Sequence, residues 1–172
     1  MDHVTADEFA ERGWPPGLPK HLVGVVFALV RANVLYQEFE REVHRYHDLC
    51  RERESQSLPV NWLDGVQMVV FAELWFAALH VVVEGYERSY NHPDSLLSDP
   101  SIDALLKQRH RHTDHRTTLR RFRNTIFHAE FVGHPDVAAV IDDREHFIEW
   151  AGLLTNEFSR LLHEKIQGLI GS

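Results

Sequence analysis

Apolar residues recur at helical spacing along most of the chain. From His21 to about Ser55, Val26, Leu29, Val30, Val34, Phe39, Val43 and Tyr46 share a stripe with no proline among them, which predicts one long helix. SQSLP breaks it, and a second long helix is predicted from about Asn61 to Arg88, with Asn61 or Asp64 at its start and NHPD after its end. So short a connection makes the two antiparallel neighbours. Ser98-Asp99-Pro100-Ser101 ahead of Ile102 starts a short helix to about Arg109, and Thr113 or Asp114 caps the next, which runs to about Phe131 before Gly133 and Pro135. A short turn of helix at Val137 to Ile141 leads into a last helix carrying Phe147, Trp150, Leu153, Leu154, Phe158, Leu161 and Leu162. No strand pattern or internal repeat emerges. The predicted fold class is therefore all-α, an up-and-down bundle of about four main helices plus short accessory helices. WPPGLP ends a short helix near Ala6 to Arg12, so residues 1–20 read as an N-terminal arm and 21–172 as a single helical-bundle domain.

Composition agrees with a soluble globular chain: 44% of its 172 residues are hydrophobic and 26% charged. Cys50 is the only cysteine, and no charged-then-apolar leader opens the chain, so a reducing cytoplasm is the expected setting. The run from Val66 to Val83 approaches a membrane span in length. It holds Gln67, Glu73 and His80, which are expensive in lipid, and it reads as a buried helix with no membrane partner. The net charge of -8 argues against a polyanionic ligand, yet Lys107, Arg109, Arg111, Arg116, Arg120, Arg121 and Arg123 follow one another with Asp114 as the only acid among them.

That basic segment leads into RFRNTIFHAE, residues 121–130. At about 100° per residue, Leu119, Phe122, Ile126 and Ala129 gather on a core side. Arg116, Arg120, Arg123, Asn124 and His128 occupy a separate arc, with Arg121 at its edge and Phe127 and Phe131 inside it. One helix face thus carries a guanidinium, an amide and an imidazole. These groups can cleave an RNA phosphodiester without a metal, because histidine exchanges protons near neutral pH and the arginine fork suits charge growing on phosphate oxygens. The plainer reading is a solvated, salt-bridged helix face.

Arg123-Asn124-x3-His128, on a late helix of an α-bundle, resembles the Arg-x4-6-His signature of the HEPN superfamily (higher eukaryotes and prokaryotes nucleotide-binding), in which a polar residue often follows the arginine. The resemblance implies a metal-independent endoribonuclease of the kind found in toxin-antitoxin, defence or RNA-processing systems, with two copies of the motif facing across a homodimer. It implies catalytic roles for Arg123 and His128, support from Asn124, no cofactor, and an antitoxin or inhibitor protein as a further partner. A subgroup continues His-x-Tyr and is regulated by nucleotide transfer to the tyrosine; Glu130 stands there in this chain, so that control is not expected. Independently, one motif offers a single imidazole, whereas in-line cleavage benefits from both a base and an acid, and a two-fold axis supplies the second. Arg116, Arg120, Arg121, Arg109 and Arg111 are the expected RNA-binding residues.

Glu73, His80 and Glu84 share a stripe of the apolar second helix. Read functionally, they orient Arg123 or His128 from behind; read plainly, Glu84 pairs with Arg88 and His80 is a satisfied core histidine. His110, His112 and His115 raise the question of zinc, but no Cys-x2-Cys or His-Glu-x2-His accompanies them, and a basic, RNA-facing loop is expected instead. His44 and His47, one turn beyond Glu40, form a similar surface cluster. Two other functions fit the pattern: a helix-turn-helix of residues 101–109 and 114–131 entering a DNA groove, and a catalytically silent helical dimer that binds nucleic acid or nucleotide.

Overall fold

A computed structural model describes residues 20–59, 61–90, 97–110, 113–128 and 144–170. Among these, five α-helices follow in order: α1 (Lys20–Ser55), α2 (Val66–Tyr90), α3 (Pro100–Leu106), α4 (His115–His128) and α5 (Arg144–Ile170). The fold is all-α, as the apolar spacing predicts. The arm with its short helix, the turn at 137–141, and Arg111, His112, Glu130 and Phe131 lie outside the described residues.

The helix ends follow from local hydrogen bonds. At the end of α1 the Leu58 N–H donates to the Arg53 carbonyl at 2.8 Å and the Ser57 N–H to that of Glu54 at 3.1 Å, with Ser57 left-handed at φ 56°. This is a Schellman cap built on serine where glycine is usual. Asp64 reaches back to the Asn61 N–H at 3.1 Å and so opens a 3₁₀ turn, Trp62–Gly65, that leads into α2. Asp99 caps α3 by accepting from the Ser101 and Ile102 N–H groups at 2.8 and 3.3 Å.

Two expectations need correction. The α3 helix stops at Leu106 rather than near Arg109, because Arg109–His110 (β1) pairs antiparallel with Thr113–Asp114 (β2). Strands of two residues show no alternation, so sequence periodicity could not reveal them. The Val66 to Val83 run is also not wholly buried: Val66, Val69, Val70, Leu74 and Val81 lie on an exposed face of α2. By length and composition alone, Leu22–Ser55 and Val66–Ser89 are each apolar enough to cross a membrane, and 39% of each apolar window is buried inside the molecule.

The core forms where α1 and α2 pack side by side. Val25, Leu29 and Ala32 of α1 and Leu79, Val82, Val83 and Tyr86 of α2 are buried, each large side chain contributing about 1.5–3 kcal/mol. The helices approach closely at Gly85, where an added Cβ would stand 2.4 Å from a Val25 methyl. On α2's other flanks, Trp75 donates through Nε1 to Thr155 Oγ1 of α5 at 3.1 Å, and Phe76 packs at a tilt against Phe122 of α4, ring centres 5.0 Å apart. α4 is held along α2 from Phe76 to Glu87, which pairs with Arg116.

Candidate active site

Asp114 starts α4 by accepting from the Arg116 N–H and the Thr117 hydroxyl, both at 3.1 Å, and its negative charge suits a helix N-terminus. From there His115, Thr118, Leu119 and Phe122 face inward. His115 corrects the expectation of an RNA-facing histidine loop. It is buried, its ring stacked 5.0 Å from that of Trp150 and tilted against that of Phe147 at 5.8 Å. The signal was available in the 115, 118, 119, 122 spacing, which puts His115 and Thr118 on the same helix face as Leu119 and Phe122.

The opposite face carries the basic row. Arg116, Arg120 and Arg121 are exposed and Arg123 is half-buried. Arg123 donates from Nη1 to Asn124 Oδ1 at 3.1 Å, so the two candidate site residues do meet. Arg116 forms a 2.6 Å ion pair with Glu87 of α2, which ties α4 down and neutralises part of the row. That bridge spans 29 residues, and helical spacing gives no sign of it. His128 is the last residue of α4, and its side chain, like that of Phe127, lies outside the described ones. Arg109 is exposed on β1.

Behind the row, His80 of α2 is only 4% exposed. Its Nδ1 is buried without a hydrogen bond and lies 3.9 Å from Glu84 Oε1, too far for one. Burial lowers the His80 pKa first; Glu84 opposes this, and Arg123, Arg120 and Arg116 lower it further, leaving a neutral ring at neutral pH. The plain reading thus fails in one respect: His80 is a core histidine but not a satisfied one. The expected Glu84 to Arg88 pair exists at 3.8 Å, with Arg88 almost fully exposed. Glu73 stands apart from this group. Burial alone pushes its carboxyl above the usual range, and no arginine offsets that.

Among the described residues no three His, Cys, Asp or Glu side chains gather closely enough to hold a metal ion. His44 and His47 are exposed, and Glu40 instead bears on Tyr36, whose hydroxyl is pushed up to about 12 by burial and then by its hydrogen bond to that carboxylate.

No protein-family model, curated protein or solved structure matches this chain. What the face can do must therefore come from its own groups. Guanidiniums flanking one half-buried arginine offer charge-assisted hydrogen bonds to an oxyanion. The amide of Asn124 fixes one end of the Arg123 fork, the planar shape of which suits phosphate oxygens.

Proposed function

We propose that the chain is a metal-independent endoribonuclease of HEPN type, working as a homodimer in the cytoplasm with an antitoxin or other inhibitor protein as regulator. The observation that carries this reading is the Arg123 to Asn124 contact on the outer face of α4, a helix that continues to His128. Its backbone sets residues 124 and 128 one turn apart on one side. His128 removes the proton from the RNA 2′-hydroxyl as that oxygen attacks phosphorus; the P–O5′ bond breaks, and a second imidazole, the His128 of the other copy, protonates the leaving 5′-oxygen. Arg123 stabilises the charge on the non-bridging oxygens of the pentacoordinate phosphate. The products are a 2′,3′-cyclic phosphate and a 5′-hydroxyl. Arg120, Arg121 and Arg109 hold the flanking backbone, making binding salt-sensitive.

The apolar face of α2 supports the dimer part of the reading, since patches of exposed valine and leucine commonly mark association surfaces. Incubating an RNA panel with excess chelator tests the whole. Wild type cuts to cyclic-phosphate ends, and His128→Ala slows cleavage by about 10² to 10⁴-fold. Equal rates in the two proteins refute the assignment, and salt-dependent binding of RNA or duplex DNA without any cleavage favours the non-catalytic binding module.

A further inference from the structure

A buried imidazole nitrogen without a hydrogen bond is unfavourable by about 1–3 kcal/mol, so its place in a structure calls for a reason. His80 Nδ1 is such an atom, and it sits on the stretch of α2 between Phe76, which meets Phe122 of α4, and Glu87, which pairs with Arg116 of the α4 arginine row. The charged groups acting on it are Glu84 on its own helix and Arg123, Arg120 and Arg116 on α4. Of the other elements packed on this part of α2, α1 brings Val25 against Gly85, and α5 brings Phe147 against Phe76 and the Thr155 hydroxyl to Trp75. Burial first, and then three guanidiniums, oppose a proton on the ring, and one carboxylate, just out of reach, favours it.

A phosphate on the row shifts this balance toward the proton, because its negative charge offsets the guanidiniums while Glu84 remains and the burial of the ring is unchanged. We propose that His80 is a positioning residue of the α4 phosphate site: an RNA phosphate seated on Arg120 and Arg123 draws a proton onto Nδ1, and the imidazolium closes on Glu84. The proton comes from solvent, and the new N–H donates to Glu84 Oε1, shortening the 3.9 Å gap to a charge-assisted hydrogen bond of about 2.7–2.9 Å. Glu84 is drawn inward from Arg88, and the surface beneath Arg123 is fixed only when substrate is present. RNA binding and proton uptake are coupled through a residue that touches no substrate. This rests on the reading that RNA phosphates dock on the α4 arginines, and it does not require that they be cleaved.

The test uses the full chain and a 2′-O-methyl oligoribonucleotide, which lacks the nucleophile and stays intact. Calorimetric titration near pH 7 in two buffers of different ionisation heat counts the protons taken up. Wild type is expected to take up a large fraction of one proton more per bound oligonucleotide than His80→Gln does. Its affinity should accordingly rise about threefold to tenfold more than the variant's between pH 7 and pH 6. Should His80→Gln not fold, Glu84→Gln, which removes the acceptor that stabilises the imidazolium, is expected to show the same reduced uptake. Equal uptake by wild type and variant overturns the proposal, as does failure of wild type to bind the oligonucleotide. If uptake depends on His80 but unmethylated RNA is not cut, only the ribonuclease reading falls. If RNA is cut and uptake is independent of His80, only this proposal falls.

Discussion

The two seams of α2 treat buried polar groups in opposite ways. Along α3 and α5 the buried polar side chains are saturated with partners. Trp75 Nε1 donates to Thr155 Oγ1, which donates on to the Ala151 carbonyl at 2.8 Å. Tyr86 donates to Asp103 Oδ1 at 2.9 Å and accepts from the Asp99 N–H at 3.0 Å, while Arg160 grips Asp99 at 2.7 Å. Burial alone would raise the Asp99 pKa, but Arg160 and the two capping N–H groups hold it below the ordinary range. Along α4, by contrast, His80 is buried with Nδ1 unbonded, beside a row of arginines of which Arg123 is half-buried. A saturated seam specifies one packing; an unsaturated one beside a row of cations retains the capacity to respond to an anion.

This contrast breaks most visibly at Arg123. Arg123→Ala is expected to slow RNA cleavage by about 10² to 10³-fold, with the fold retained although the residue is half-buried. A thermal loss as large as that of a core variant would show that Arg123 belongs to the architecture instead. Thr155→Val tests the other seam with nearly constant volume. It strands the Trp75 N–H in a dry site and is expected to lower stability by about 1–3 kcal/mol, read as a lower urea midpoint at unchanged slope. Cleavage by the folded fraction should be unaffected.

The same division explains which features could be read from the sequence. Helix extents and caps are local, so α1, the start of α3 and the Asp114 cap follow from apolar spacing and from Asp or Asn placement. The Arg123 to Asn124 contact joins adjacent residues and was legible for the same reason. Links between distant segments were not. Trp75 meets Thr155 across 80 residues and Arg160 meets Asp99 across 61, and both depend on how helices pack rather than on spacing within one. His115 is instructive: its setting in a string of arginines and histidines suggested solvent, but its position on the α4 wheel placed it against Trp150, and position decided.

A smaller effect separates the seams by pH. The unfolded His80 ring titrates near its ordinary 6.5, and the folded ring, held down mainly by burial, titrates lower. Between those values the unfolded chain binds more protons, so stability rises with pH there. The His80 contribution is therefore complete above about pH 6.5 and is lost as the pH falls through the folded value. Urea midpoints measured from pH 7.5 down to 5 should fall less steeply in His80→Gln than in wild type. Parallel curves would mean that His80 is not the group responsible, and the unsaturated seam would lose its electrostatic meaning.

The smallest effect asks whether every local imperfection in this molecule is functional. Ser57 is strained in the left-handed region at φ 56°, beside the turn between α1 and α2. From Gly65 to His80 the chain climbs α2 by roughly 20 Å, so the turn stands well away from the α4 face. Glycine relieves the Cβ clash but gives the unfolded chain more freedom, and the two terms oppose each other. Ser57→Gly is expected to gain about 0.5 kcal/mol, the net of a left-handed penalty of roughly 1–2 kcal/mol and the added entropy. RNA binding and cleavage should not change. A flaw that can be repaired at no functional loss at Ser57, set against one at His80 whose removal uncouples binding from protons, distinguishes tolerated strain from a retained device. Loss of RNA binding in Ser57→Gly would abolish that distinction and draw the α1 to α2 turn into the site.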